Sequence, residues 1–254
     1  MVTADKRLME IFLDTQRGLP RQGPGNDAST LRALAACTDL PSIPAVLDIG
    51  CGPGAQTLAL AGALDGQVTA VDVYEEYLDE LRRSASEAGL SERITIERGD
   101  MMRLPFPPRS FDLIWAEGAA YIMGFERAFA AWRPLLRPGG YVAVTELTWL
   151  VPDPAPEVAG FFGSEYHQMT DIETNLASIR IAGYEVVDHF VLPDAAWWDD
   201  YYTPLDAKLP SLREKYAGDG PALAIVGSTE AEIRMRREYA DAYGYVFYIT
   251  RSAG

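Results

Sequence analysis

Three glycines fall within five positions of one short stretch, Val46-Leu47-Asp48-Ile49-Gly50-Cys51-Gly52-Pro53-Gly54. An apolar run leads directly into them, and the helix-like segment Gln56 to Leu64 follows. Glycine admits φ values closed to other residues, and it lets a ligand come close to the peptide groups. A strand, a glycine turn and a helix in that order form the first half of a βαβ unit, with a binding edge at the turn.

The same alternation continues along the chain. Short apolar runs at Val68–Val71, Ile94–Glu97, Phe111–Trp115 and Tyr141–Glu146 predict further strands. Helix-period segments lie between them at Glu75–Ala88, closed by Gly89, and at Phe125–Leu136, closed near Pro138-Gly139-Gly140. The order implies an α/β fold with a doubly wound sheet and helices on both faces. Two helices are expected ahead of it, Lys6–Thr15 and Asp27–Cys37. After it come a proline-marked loop at Pro152, Pro154 and Pro156, a helix at Asp171–Ala182, a strand at Tyr184–Leu192, a largely helical stretch from Ala195 to Ala242, and a strand at Tyr245–Arg251. We divide this single domain, 1–254, into a helical cap over 1–44, a ligand-binding core over 45–146, a second cap over 147–242 that includes strand 184–192, and a last strand within 243–254.

A chain of 254 residues suits one large domain with insertions, and 48% apolar composition excludes a disordered chain. There is no apolar run of membrane-spanning length, and the start Met1–Arg7 is no secretory leader, so we expect a cytoplasmic protein, monomer or homodimer, without a membrane partner. The net charge of −15 repels phosphate backbones and disfavours nucleic acid as a partner. Arg234, Arg236 and Arg237 are interleaved with Glu230, Glu232 and Glu238, the pattern of a solvated helix face. Two cysteines and two histidines supply neither a disulfide framework nor a zinc site, and no metal is expected.

The glycine loop alone is ambiguous, because Gly50, Gly52 and Ala55 also satisfy the relaxed dinucleotide pattern. Three acidic residues bear on the choice, and Asp48 and Asp100 argue against a nicotinamide cofactor. Asp48 puts a carboxylate beside the loop, where a pyrophosphate would be repelled and an ammonium group favoured. Asp72, at the tip of the second strand, can accept both hydroxyls of a ribose, which suits either ligand. Asp100 can accept from an adenine amino group while Met101 packs on the ring. Each also has a local reading: Asp48 as a strand-end cap, Asp72 as a cap for the helix near Glu75, Asp100 as a turn residue.

The run Val46–Gly54, then Val71-Asp72, Gly99-Asp100, Phe111–Gly118 and Leu136-Arg137-Pro138-Gly139-Gly140-Tyr141, resembles the class I S-adenosylmethionine (SAM) dependent methyltransferases, closest to the type 11 branch that includes ubiquinone and menaquinone methyltransferases. The resemblance covers about Ala45 to Glu146. It implies a seven-stranded Rossmann-like sheet whose last strand is antiparallel, with helical cap insertions. It implies SAM as cofactor and S-adenosyl-L-homocysteine (SAH) as product. It places Asp48, Gly50 and Gly52 at the methionine part, Asp72 at the ribose, Asp100 and Met101 at the adenine, and Glu117 and Gly118 beside the methyl group, with Cys51 and Val73 also among the cofactor-binding residues. The segments Arg21–Gly25, Glu117–Ala119, Gly124–Arg127 and Gly244–Ile249 also resemble a group of bacterial methyltransferases. The loop with Arg21 and Gly25 either folds over the cofactor, Arg21 pairing its carboxylate, or is a solvated surface turn.

The expected reaction is transfer of a methyl group to an O, N or C nucleophile of a small molecule by in-line displacement. Its main requirement is an aligned nucleophile about 3 Å away in a dry site, with a base only where a proton must leave early. Candidates near the methyl are Glu117 and Tyr121 after the fourth strand, Glu146 and Trp149 after the fifth, and His167 in the cap. The aromatic run Trp197–Tyr202 either lines a pocket or packs the cap. A nicotinamide oxidoreductase and a non-catalytic SAM-binding module are the alternatives.

Overall fold

The core strands are short runs almost free of polar side chains. Val46, Leu47, Ile49, Val68, Ala70, Leu113, Ile114, Val142 and Val144 are all fully buried, the pattern of a parallel sheet covered on both faces. The computed structural model describes residues 2–166 and 169–253. In it the chain forms α1 (Val2–Gln16), α2 (Asp27–Ala35), β1 (Ala45–Ile49), α3 (Ala55–Ala63), β2 (Gln67–Asp72), α4 (Glu75–Glu87), β3 (Ile94–Arg98), β4 (Phe111–Ala116), α5 (Phe125–Trp132) and β5 (Leu136–Trp149). Then follow α6 (Pro156–Glu165), the two-residue β6 (Thr170–Asp171), α7 (Ile172–Ile181), β7 (Tyr184–Val191), α8 (Ala195–Trp197), a π turn (Trp198–Tyr202), α9 (Thr203–Lys215), α10 (Gly220–Tyr239) and β8 (Tyr243–Ser252).

The main path of the sheet runs β3-β2-β1-β4-β5-β8-β7, with β6 paired to β5 off that path. Strands β1 to β5 pair in parallel, and β8 lies antiparallel between β5 and β7. This is the doubly wound sheet with an antiparallel last strand that the sequence implied. Strand order reverses between β1 and β4, so the crevice above their C-terminal ends is the natural ligand site.

Three apolar clusters hold the layers. On one face, Phe125, Phe129, Trp132 and Ile179 from α5 and α7 pack on Leu47, Ile114 and Val142. On the other, Ala33, Leu60, Leu78 and Leu81 from α2, α3 and α4 pack on Val46, Val68 and Leu113. The third joins the cap to the sheet through Phe162, Trp197, Tyr202, Leu205, Val226 and Tyr243. Trp197, Tyr201 and Tyr202 are therefore packing residues of the cap and not a pocket wall. Helix α1 leans on α9 and α10.

Some boundaries differ from expectation. Helix α5 stops at Trp132, and a single 3-10 turn over Arg133–Leu135 precedes β5. Pro134 has no N–H to continue the helix, and Leu136 already pairs with Phe111. Strand β5 runs on to Trp149 because β8 pairs with it from Tyr141 through Trp149. Pro156 starts α6 where a loop was expected, since proline is favoured in a first helical turn. Arg236 is not on a solvated face: it is buried, stacks on Trp197 at 4.1 Å, and donates to the Tyr243 carbonyl at 3.0 Å and to Asp194 at 2.9 Å. Among the described residues no helix is long and apolar enough to cross a membrane.

Candidate functional site

The loop after β1 is held by the tip of β2. Gly50, Gly52 and Gly54 have φ of +70°, +54° and +92°, which explains three glycines where one would make a turn. The N–H groups of Gly50 and Cys51 donate to the Val71 carbonyl at 2.8 and 3.1 Å. The Gly52 N–H donates to Asp72 Oδ2 at 2.9 Å, and Tyr74 N–H donates to Asp72 Oδ1 at 2.9 Å. Asp72 is thus an anchor of the loop as well as a cleft residue. The N-cap of α4 is Tyr74, not Asp72.

A cleft of about 400 Å³ opens above these strand ends, within the size range of small-molecule sites. Of the expected binding residues, Arg21, Gly50, Cys51, Gly52, Asp72, Val73, Asp100, Met101, Glu117 and Gly118 all line it, and so does Tyr121. Asp48 and Gly25 do not. Asp48 is fully buried beneath the loop, where Thr57 donates to it at 2.5 Å and Gln56 at 3.4 Å. Its influence on a ligand is through its field. Gly25 sits behind the cleft wall: a Cβ there would lie 3.0 Å from Glu117 Oε2 and 3.1 Å from Arg21 Nη1. Its N–H is spent on the Ala196 carbonyl at 2.9 Å.

Arg21 is buried and not a solvated turn residue. Its Nη1 donates to Glu117 Oε2 at 3.1 Å and its Nη2 to Asp27 at 2.8 Å. Glu117 is held on three sides, because Thr30 at 2.6 Å and the Trp115 indole at 2.9 Å donate to its Oε1. A carboxylate so engaged is suited to fixing the cleft wall more than to taking a proton. Asp100 is exposed, and its carboxylate accepts from the Met102 N–H at 2.9 Å, opening a 3-10 turn that sets Met101 on the cleft floor.

The site is electronegative. Burial pushes the Asp48 carboxyl up to about 7; the Thr57 hydrogen bond opposes this, and neighbouring Glu117 adds to it. Burial also raises Asp72, against the pull of its backbone N–H donors. The Cys51 thiol is driven well up by burial and by Asp48 and Asp72, so it is a packed neutral group. Arg21 is the one cation lining the cleft among the described residues. A ligand bearing positive charge relieves this imbalance; a pyrophosphate worsens it.

Behind Tyr121 lies a second group. Tyr121 and Tyr166 rings are 5.0 Å apart, and Tyr166 donates to Glu146 Oε1 at 2.5 Å. Trp149 packs on Phe162 and Tyr243, away from the cleft lining. His167 lies outside the described residues. Sequence reasoning missed Gln16, Gln22 and Gln56, which also line the cleft. Gln16 and Gln22 present side-chain oxygens with no hydrogen-bond partner among the described residues. Glutamines carry no motif, and α1 shows nothing in its pattern about which sheet edge it covers.

Residues 46–140 match the family described as "Methyltransferase domain". That segment is similar to methyltransferase domains. The chain is 30% identical over 178 residues to a sterol 24-C-methyltransferase of Gibberella zeae, an alignment of 65% of this chain and 46% of that protein. The chain spans about half the length of the curated relatives it matches first. Among solved structures, a SAM-dependent methyltransferase of Geobacter sulfurreducens in complex with SAH superposes with a TM-score of 0.79 at 22% identity, over 95% of this chain and 97% of that one. The [4+2]-cyclase SpnF superposes with a TM-score of 0.76 at 25% identity, over 97% and 93%. The nicotinamide alternative has no support in these comparisons. The matched segment holds β1 to β4, the glycine loop, Asp72, Asp100 and Glu117.

Proposed function

We propose that this chain is an enzyme that binds SAM in the cleft above β1 and β4 and transfers its methyl group to a small molecule. The observation that carries this reading is the meeting of Gly50–Gly52, Asp72 and Asp100-Met101 around one electronegative cleft of about 400 Å³. Residues brought together from three strand ends suit a ligand with three different parts. The loop amides and the Asp48 field suit an amino acid end, Asp72 and Val73 a ribose, and Asp100 with Met101 an adenine. Bound SAM supplies a methyl group already activated by its sulfonium, so the protein's residues need only orient, dry and deprotonate. Glu117 and Arg21 hold the wall beside Gly118, and Tyr121 lines the acceptor side. Residues 147–242 serve as the substrate cap. We place the enzyme in the cytoplasm, as monomer or homodimer; its two buried, unpaired cysteines fit a reducing compartment.

Calorimetric titration with SAM, SAH and NAD tests this. The expected result is binding of SAM and SAH without NAD; binding of NAD alone overturns the reading. The likeness to a protein named as a [4+2]-cyclase motivates a second reading, in which the cleft binds SAM without spending it. SAM binding with no SAH release across a broad set of acceptors would favour that one.

A further inference from the structure

Glu146 lies within the buried stretch of β5, one residue beyond Thr145, whose hydroxyl accepts the Gly118 N–H at 2.8 Å. This bond ties the proposed methyl side of the cleft to the tip of β5. Glu146 is 3% exposed. Tyr166 donates to its Oε1 at 2.5 Å, while its Oε2 is buried with no hydrogen-bond partner among the described residues. A buried carboxyl with one oxygen left open costs free energy until a donor reaches it. The group is one ring away from the cleft. Tyr121 lines the cleft with its ring tilted against that of Tyr166 at 5.0 Å, and it is 41% exposed. From the other side, the Tyr245 hydroxyl comes within 4.0 Å of where a Cβ of Gly118 would stand.

The way in is apolar. Phe12, Val73, Tyr121 and Ile122 line the cleft, and each leaves a large exposed apolar surface at its mouth. Isolated exposed hydrophobes are ordinary, but four around one opening mark a surface for an apolar ligand. Among the described residues the one lining cation, Arg21, is already engaged by Glu117 and Asp27, so no free cation is left for a phosphate or carboxylate of the acceptor. An anionic acceptor would also meet the carboxyls of Asp48, Asp72 and Glu117.

Resting on the SAM reading above, we infer that the acceptor is an uncharged, apolar molecule bearing an acidic hydroxyl, a phenol or enol, and that Glu146 and Tyr166 receive it. The hydroxyl donates to the open oxygen of Glu146. As the oxygen attacks, its bond to the methyl carbon forms and the carbon–sulfur bond breaks. The sulfur keeps that electron pair, and the O–H proton passes to the Glu146 carboxylate. Burial holds the Glu146 carboxyl up at about 8, which keeps it a competent proton acceptor for a phenol. The titratable groups that face it are the phenols of Tyr121, Tyr166, Tyr245 and Tyr248, all raised by burial and therefore neutral in the working range.

The test uses the full chain saturated with SAH and three probes: 4-nitrophenol, 4-nitroaniline and 4-nitrophenyl phosphate. Equilibrium dialysis should show 4-nitrophenol bound at least tenfold more tightly than the phosphate and severalfold more tightly than the aniline. The absorption of bound 4-nitrophenolate gives its titration midpoint. That midpoint should shift by half a unit or more in Glu146→Gln, because the phenol and the Glu146 carboxyl share a proton in the wild type and titrate as a coupled pair. Tyr166→Phe should shift it less, and it serves in place of Glu146→Gln where that variant gives no cooperative thermal transition. Equal midpoints in wild type and variant, a phosphate or aniline bound as well as the phenol, or no phenol bound beside SAH would each overturn the inference. Failure of SAH itself to bind would instead sink the cofactor reading.

Discussion

The backbone N–H of Gly52 donates to Asp72 Oδ2 at 2.9 Å, across 20 positions of sequence. One carboxylate therefore shapes the glycine loop and faces the cleft. Its two backbone donors leave each oxygen a further lone pair, enough to accept from a ribose hydroxyl. Asp72→Asn turns one of those oxygens into a donor facing an N–H. The expected cost is about 1–3 kcal/mol in SAM affinity, roughly five- to 150-fold in Kd, with a measurable loss of stability from the loosened loop. Calorimetry and thermal unfolding on the same sample check both. Unchanged affinity would mean that Asp72 only braces the loop.

The three loop glycines do not stand for the same constraint. A Cβ on Gly54 would lie 2.2 Å from Leu81 Cδ1 and 2.9 Å from its Cγ, inside the α3–α4 packing. A Cβ on Gly52 would meet only Gln22 Cγ, at 3.5 Å. Both carry positive φ, so both alanine variants pay about 1–2 kcal/mol for the backbone. Gly54→Ala adds overpacking of about 1–3 kcal/mol. Urea unfolding should rank Gly54→Ala clearly below Gly52→Ala; the reverse order would show that the loop does not pack as described.

Arg21 and Glu117 form a buried pair whose side chains are each 5% exposed. Removing one partner strands the other. Arg21→Met should cost on the order of 3 kcal/mol in stability, because Glu117 would keep only Thr30 and Trp115. Adding Glu117→Gln to that variant should return a good part of the loss. Denaturant melts of both single variants and the double variant give the coupling, and additive losses would refute a direct pair.

Most of the fold was legible because the β1, β2, β4 and β5 runs are so apolar that only a two-faced parallel sheet can bury them. The glycine loop, Asp72 and Asp100 were legible because positive φ and strand-tip carboxylates leave a pattern. Asp48 was seen as a carboxylate near the loop, yet nothing in the sequence told whether it faces the ligand or lies beneath it. Which glutamines of α1 and its loop reach the cleft depends on how α1 docks on α9 and α10, and that contact joins residues about 200 positions apart. Arg236 looked like part of a solvated face because interleaved charges ordinarily are; its burial depends on Trp197 and Asp194, which only the tertiary fold brings to it.

Burial of Asp48 also predicts how stability changes with pH. Its folded carboxyl titrates near 7, above its value in the unfolded chain near 4. Between those values the folded protein holds a proton that the unfolded chain has lost, so this group makes the cofactor-free protein less stable as pH rises from about 4 to about 7. Asp48→Asn removes the dependence. The melting temperature of the variant relative to wild type should therefore be higher at pH 8 than at pH 5, by an amount on the order of 2 kcal/mol in stability. A difference that is flat with pH would mean that Asp48 is ionised in the folded protein.

Helix α1 supplies Phe12, Leu13 and Gln16 to the cleft, and its C-terminal end is fastened to the cap. Lys208 of α9 donates to the carbonyls of Asp14 and Arg17, each at 2.6 Å, and of Thr15 at 3.2 Å. Asp14 in turn accepts from Lys215 at 2.7 Å and from Tyr216 at 2.9 Å. A cation on the last carbonyls of a helix is favourable by about 0.3–1 kcal/mol, and by more when partly buried. The sheet does not depend on it. Lys208→Met should therefore leave the main unfolding transition nearly in place while α1 opens more often. Amide exchange over residues 8–16 should quicken, and SAM affinity should fall severalfold because closing the cleft then requires ordering the helix. Unchanged exchange together with unchanged affinity would show that α1 is held by its apolar contacts alone.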